Sequence, residues 1–391
     1  MTRKSTFYEF FAGGGMARAG LGPNWQCVFA NDFSKMKAQT YASNWSSDHL
    51  ICSDVADIKL TDLTGQADLV WASFPCQDLS LAGNCRGMGD ATSEARTRSG
   101  TFWPFWSLMS ALKEASRAPR LIVLENVTGA LTSRDGEDFR ALCGALSDAQ
   151  YRYGAVVIDA KDFVPQSRQR VFFVAVANDV TLPDELTRST SSKTWHTTAL
   201  CNAQARLDKQ SKKQWVWWHL PRPAIRNIGL ANILEDHPTG CRWHSIEETQ
   251  RILAMMSPLN LAKIQEMRER GVRKVGTVYK RTRPNAKGAR QQRAEVRFDD
   301  VAGCLRTPAG GSSRQIILVV EGEQVRSRLI SAREAARLMG LEDSYRLPDR
   351  YNDAYHVAGD GVCVPVVRFL SANLLEPILS GAVTNSRSIA A

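Results

Sequence analysis

Ser5-Thr-Phe-Tyr-Glu-Phe-Phe-Ala-Gly-Gly-Gly-Met-Ala-Arg-Ala-Gly-Leu21 decides how the rest of the chain is read. A short, mostly apolar run ends at Phe11-Ala12, three glycines follow, and Met16–Leu21 then takes helical spacing. Glycines at a strand-to-helix turn permit positive φ and let the backbone approach a ligand closely. Further along, a second apolar run ends in Asn31-Asp32, where a carboxylate can accept hydrogen bonds from ribose hydroxyls. A third ends in Ser53-Asp54-Val55, and Asp54 suits an adenine amino group. Gly13, Gly14, Gly15, Asp32 and Asp54 are therefore the expected cradle of a nucleoside cofactor.

The same alternation runs on to about Val176. Ser5–Phe11, Cys27–Asn31, Leu69–Ser73, Leu121–Glu125 and Val171–Ala177 read as strands; Met16–Leu21, Ser34–Asn44, Trp103–Ala118 and Asp138–Ala149 read as helices between them. This order predicts an α/β fold with a doubly wound, mostly parallel sheet. Ligands of such sheets bind beyond the carboxyl ends of the strands.

After Asn178 the character changes. Thr181–Thr198 reads as a linker, and irregular, basic sequence then continues to about Glu323 as a second, smaller domain. Ser331–Gly340 reads as a helix opened by a capping box, Ser331 with Glu334. A last amphipathic helix is expected at about Pro365–Leu379. The expected division is a catalytic and cofactor-binding domain at 1–185, a second domain at 186–325, and a segment at 326–391 that returns to the first.

The formal net charge of +10 points to a polyanionic partner. The cations gather between Arg273 and Arg297, where Lys274, Lys280, Arg281, Arg283, Lys287, Arg290 and Arg293 meet one acid, Glu295. Such a cluster reads as a phosphate-tracking element. Nine cysteines are scattered with no C-x-x-C pair, which argues against a structural zinc site, so no metal is expected. The sequence holds neither an apolar run of about 20 residues nor the pattern of a signal peptide, so the protein is expected in the cytoplasm with no membrane partner.

Three further segments carry chemistry. In Asp68-Leu-Val-Trp-Ala-Ser-Phe74-Pro75-Cys76-Gln77 a cysteine follows a strand, and proline stiffens the turn that aims its sulfur. Leu121-Ile-Val-Leu-Glu125-Asn126-Val127 ends a buried strand on an acid, which in an apolar setting can serve as a proton donor. Gln166-Ser-Arg168-Gln-Arg170 leads two arginines into an apolar strand, where alternate positions share a face. Gln77–Gly100, with Arg86, Arg96 and Arg98, reads as a lid beside the cysteine.

Phe11-Ala-Gly-Gly-Gly15, Phe74-Pro-Cys-Gln77, Glu125-Asn-Val127 and Gln166-Ser-Arg-Gln-Arg170 resemble, in order and spacing, the motifs of the bacterial DNA cytosine-5 methyltransferases. Arg328–Glu334 and Gly359-Asp-Gly-Val362 resemble that family's last two motifs. The resemblance implies a Rossmann-like domain that binds S-adenosyl-L-methionine, with residues 186–325 recognising double-stranded DNA. Phe11 and Phe102 would flank the adenine and Asp32 would hold the ribose. Asp54 would meet the adenine edge, with Ala12, Pro75, Asp360 and Val362 also lining the pocket. Cys76 would be the nucleophile on a flipped cytosine, Glu125 would engage N3 and the exocyclic amine, and Arg170 would contact O2. Arg168 would sit nearer the thiolate. Arg86, Arg98, Lys280, Arg281, Arg283, Arg290 and Arg314 would contact DNA. A monomer and a restriction endonuclease acting on the same site are implied as well. The chain departs from the resemblance at Met16, where another glycine is usual, and at Asp360-Gly361, where Asn-Ser is usual.

Two rival readings differ in substrate or class. A tRNA cytosine-5 methyltransferase would share the catalytic set, but the long basic region favours DNA. A DNA-binding regulator without activity would have no use for Cys76, Glu125 and Arg170 together.

Overall fold

A computed structural model of the chain describes residues 3–75, 101–284, 288–306 and 314–381, with Arg283 and Pro284 described by their backbone alone. Two compact units emerge: Met1–Asp159 with Gln169–Pro223 and Val362–Ala391, and Ala160–Arg168 with Ala224–Gly361. Their limits do not coincide with 185/186 and 325/326. Residues 186–223 pack with the first unit and 326–361 with the second.

The first unit is built on β1 (Ser5–Phe10), β2 (Trp25–Asp32), β3 (Leu50–Cys52), β4 (Leu69–Ala72), β5 (Leu121–Val127), β6 (Tyr151–Asp159) and β7 (Gln169–Ala177). They form one sheet in the order β3-β2-β1-β4-β5-β7-β6. The pairs from β3 to β5 are parallel, whereas β7 runs antiparallel to both β5 and β6. Central strands such as Leu69-Val-Trp-Ala72 are buried on both faces, which is why they read as unbroken apolar runs. The helices are α1 (Met16–Leu21), α2 (Lys35–Trp45), α3 (Phe102–Glu114) and α4 (Glu137–Asp148). Strand β6 is an addition to the sequence reading. Its Arg152 and Gly154 interrupt the apolar run, and its pairing with β7 is set by the tertiary structure.

The expected linker at Thr181–Thr198 is instead part of this unit. Trp195 and His196 are buried, β8 (Thr187–Arg188) pairs with β9 (Trp217–Trp218), and α5 (Thr198–Ala205) and α6 (Lys209–Lys213) follow. Trp218 is fully buried, and Trp215 packs on Phe139 and Tyr153, so these indoles serve packing. Gly154 leaves room for the Val216 carbonyl, which a β-carbon there would strike at 1.9 Å.

In the second unit α7 (Leu230–Ile233), α8 (Ile246–Ala254) and α9 (Pro258–Glu269) precede β10 (Lys274–Pro284), β11 (Arg290–Arg297), β12 (Ile316–Glu321) and β13 (Gln324–Leu329). The four strands make an antiparallel sheet ordered β11-β10-β12-β13. Ile252, Met256, Ile264 and Met267 pack on its Val278, Val296, Ile316, Leu318 and Val320. Then come α10 (Ala332–Arg337), with the expected Ser331–Glu334 capping box, and α11 (Tyr351–Asp360). Glu334 does more than cap: it takes the Arg328 guanidinium in two hydrogen bonds of 2.6 and 2.7 Å, both side chains being buried. Arg328 also lies over the Trp243 ring, 5.0 Å from its centroid.

The chain ends, among the described residues, in α12 (Val364–Leu370) and a short continuation packed on α1 in the first unit. Tyr351–Gly381 as a whole is apolar and long enough to cross a membrane, a property the sequence reading passes over. Most of its apolar window, 61%, is buried within the protein, as in a core helix.

Candidate active site

The glycine turn is held by its neighbours' main chain. Ala12 N–H donates to the Asn31 carbonyl at 2.9 Å, and Gly15 N–H to the Ala12 carbonyl at 2.8 Å. Gly13 and Gly15 have φ of 56° and 78°, and Gly15 could not carry a β-carbon without meeting Trp45 at 2.4 Å. Around Gly13 the space where a β-carbon would sit is open. Phe11 itself has φ of 56°. An aromatic residue rarely accepts that conformation, and such strain collects where a side chain is aimed for use. Asp32 accepts from Gly13 N–H at 2.8 Å through one oxygen and from Ser34 N–H at 2.9 Å through the other. It fastens the turn to β2 and keeps further lone pairs for a ligand.

Beneath the turn lies a charge network that the sequence reading misses. Glu9 is buried, accepts from Arg18 N–H, and its carboxyl is pushed up to about 8, chiefly by burial. Arg18 reaches Tyr41 at 3.1 Å and His49 at 2.6 Å, and burial followed by that arginine lowers the His49 pKa. Between the ordinary glutamate range and about pH 8 the folded chain keeps the Glu9 proton while the unfolded chain releases it. Stability should therefore fall as pH rises through this window, by up to about 1.4 kcal/mol per pH unit, and level off above it. Glu9→Gln removes the titration, so thermal melts from pH 5 to 9 should slope less for the variant than for the parent. Parallel curves would refute the assignment.

The remaining cofactor positions divide. Asp54 is exposed and caps a short turn through Ala56 N–H at 3.0 Å. Phe102, expected beside an adenine, is enclosed in the core against Phe74, Trp103 and Trp106. Phe33, one residue past Asp32, is 70% exposed and offers an apolar face at the same strand end. Val362 is buried in the first unit, and Asp360 ends α11 in the second.

At the carboxyl end of β5, Glu125 meets the guanidinium of Arg170, Nε to Oε1 at 3.2 Å, with both side chains largely buried. The antiparallel register sets Val127 opposite Arg170 and Glu125 opposite Phe172, which brings the two side chains together. The acid is thus ion-paired, whereas the residues around it in sequence lead one to expect an apolar setting. Asn126 donates to the Phe74 carbonyl at 3.3 Å and so ties β5 to the segment that follows β4. Cys76, Arg86 and Arg98 lie outside the described residues, as does the expected lid.

A family model for C-5 cytosine-specific DNA methylases matches residues 5–376. The chain belongs to that family. An Escherichia coli (strain K12) protein named DNA-cytosine methyltransferase is 27% identical, with 96% of this chain and 78% of that one aligned. The Type II methyltransferase M.NlaX of Neisseria lactamica is 25% identical over 94% of this chain and 95% of its own. Among solved structures, the Entamoeba histolytica methyltransferase EhMeth superposes with a TM-score of 0.63 at 13% identity, and S. pombe Dnmt2 with 0.59 at 16%. Each covers 96% of this chain and 99% of its own, and these likenesses establish the Rossmann-like methyltransferase fold.

In this DNA (cytosine-5-)-methyltransferase the two arginines that sequence pairs have separate fates. Arg170 is on β7 against Glu125, whereas Arg168 precedes the strand and is buried in the second unit. Its guanidinium donates to the carbonyls of Leu305, Gly359 and Gly361 at 3.3, 3.0 and 2.8 Å. Arg168 clamps the Gly359–Gly361 stretch of the methylase, while the thiolate expected near it belongs to Cys76, outside the described residues. Gln166, fully buried, joins the same framework by donating to the Leu338 carbonyl at 2.7 Å and accepting from Leu305 N–H at 3.0 Å. Arg314, expected to reach DNA, lies over the Tyr351 ring at 5.5 Å and bonds Asn352. Lys280 is half-buried, Arg281 and Arg290 are exposed, and the Arg283 side chain lies outside the described residues. The signal that would have found Asn126 is its place between the acid and the strand end, where a buried amide has to satisfy a main-chain partner.

Proposed function

We propose that this DNA cytosine-5 methyltransferase takes its methyl group from S-adenosyl-L-methionine and bonds Cys76 to C6 of a cytosine swung out of double-stranded DNA. The Glu125–Arg170 pair carries this reading, since it sets an acid and a guanidinium together at the end of β5, with Asn126 fastening the Phe74 carbonyl two residues before Cys76. The cofactor fits the residues present. Gly13 leaves open space at its α-carbon, Asp32 has lone pairs for ribose hydroxyls, and Phe11 and exposed Phe33 offer aromatic faces to a purine. When bound, it supplies an electrophilic methyl group on a sulfonium.

The chain's own residues then have separable tasks. The Cys76 thiolate adds to C6, and the ring electrons displaced in that step are drawn toward N3, where Glu125 donates a hydrogen bond or proton. Arg170 holds Glu125 and contacts the cytosine O2, a role supported by its pairing with that acid. C5, now electron-rich, forms a bond to the methyl carbon as the methyl–sulfur bond breaks, leaving a neutral thioether. Loss of the C5 proton to water, departure of the Cys76 thiolate and return of the N3 proton to Glu125 restore the aromatic ring. Extrusion of the base is required because these groups cannot reach into a stacked duplex.

The enzyme acts as a cytoplasmic monomer, and a restriction endonuclease for the same site accompanies it, the latter reading supported by the Type II name of the Neisseria relative. Residues 186–325 recognise the DNA, a reading supported by their basic character. Incubation with S-adenosyl-L-methionine and mixed-sequence duplex DNA, then bisulfite sequencing, should reveal protected cytosines in one short motif. Protection confined to tRNA offered in parallel would overturn the DNA substrate.

A further inference from the structure

The hairpin of β10 and β11 outgrows its own core. At its base Val278, Ala294 and Val296 are buried beneath α8 and α9. Beyond them the pairing continues as Lys280 opposite Ala294, Arg281 opposite Arg293, Thr282 opposite Gln292 and Pro284 opposite Arg290. Arg281, Thr282, Arg290, Gln291, Gln292 and Arg293 are all exposed. Strands alternate faces, so Thr282 and Gln292 share one face, flanked by Lys280 and Arg290, while Arg281 and Arg293 share the other.

Such an arrangement is poor for a protein folding only with itself. Two like charges directly opposite one another destabilise a strand pair. Arg281 is relieved partly by Glu295 at 3.5 Å and by the Tyr279 ring, 5.8 Å from its guanidinium. An external anion would relieve both arginines. The overhang, 281–284 against 290–293, extends roughly 13 Å at about 3.3 Å per residue. That matches the major groove of a duplex, about 12 Å wide, which admits a two-stranded ribbon.

We propose that this overhanging ribbon enters the major groove, with Gln292 and Thr282 reading base edges while Arg281 and Arg293 reach over the rims to phosphates. Glutamine is fitted for adenine, whose N7 and N6 match its donor and acceptor, so Gln292 faces an A·T pair near the target cytosine. Arginines on the outer face add affinity without sequence information. This rests on the DNA reading above and adds the element, the groove and the residues.

The test uses the full-length enzyme and a pool of duplexes randomised around cytosine, read by bisulfite sequencing, with binding measured across salt concentrations. Gln292→Ala should lose discrimination at one base position by about ten-fold or more, with a salt dependence like the parent's. Arg281→Ala and Arg293→Ala should weaken binding alike on all sequences, each lowering the slope of log K against log salt by about one. Thermal melts of these exposed variants should show no loss of stability, and relief of the Arg281–Arg293 repulsion should raise those of the arginine variants slightly. An unaltered preference in Gln292→Ala, or unaltered salt slopes in both arginine variants, would overturn the ribbon while leaving the methyltransferase reading intact. A parent enzyme that modifies no duplex in the pool would sink both.

Discussion

Cys76→Ala is expected to lower methyl transfer to DNA by more than about 10⁴-fold, with thermal stability and DNA binding close to the parent's. Without the sulfur, C5 of cytosine remains too weak a nucleophile to accept a methyl group. The described cysteines offer no ready substitute where burial raises them: the Cys27 thiol is pushed up to about 12, and Cys143 is raised well above its ordinary range. A duplex carrying 5-fluorocytosine at the target gives the positive counterpart. Fluorine leaves C5 without a removable proton, so after methylation the bond between the Cys76 sulfur and C6 has no route to break. The parent should form a complex that survives denaturing electrophoresis, and the alanine variant should not. A trapped complex with Cys76→Ala would assign the nucleophile elsewhere.

Glu125→Gln is expected to reduce the single-turnover rate by about 10²- to 10⁴-fold, the range for removing a positioned proton donor. The substitution keeps size and hydrogen bonding but cannot pass a proton to N3, and it breaks the 3.2 Å ion pair with Arg170. Arg170→Ala should also lose rate, partly by freeing Glu125 from the geometry that register with β7 imposes. Groups in one network are not additive, so the double variant should fall short of the product of the two losses. A Glu125→Gln enzyme as fast as the parent, with cytosine bound, would remove Glu125 from the chemistry. If the two losses multiply cleanly, the pair does not act as a unit.

Much of the catalytic half was legible in the residues because its signals are local. Met16–Leu21 forms as its spacing predicts, and the strands ending near Phe11, Asp32, Ser73 and Glu125 lie within two residues of expectation. The capping box of Ser331 and Glu334 was equally readable, since both partners lie in one helical turn. What local patterns leave out depends on distant partners. Phe102, expected beside an adenine, closes an aromatic cluster with Phe74 and Trp106 that no local spacing announces. Thr181–Thr198 looked like a linker because polar residues dominate it, yet Trp195 and His196 anchor it in the first unit.

By itself, then, the sequence determined the order of β-α-β units, the glycine turn and the capping box, because each rests on spacing within a few residues. Only the tertiary structure decided which distant residues meet. Arg168 and Arg170 are chemically identical and two positions apart, but one clamps carbonyls of Leu305, Gly359 and Gly361 while the other pairs with Glu125. The physical reason is that a buried guanidinium takes its role from the acceptors packed around it, and those acceptors come from chain segments that no local pattern connects.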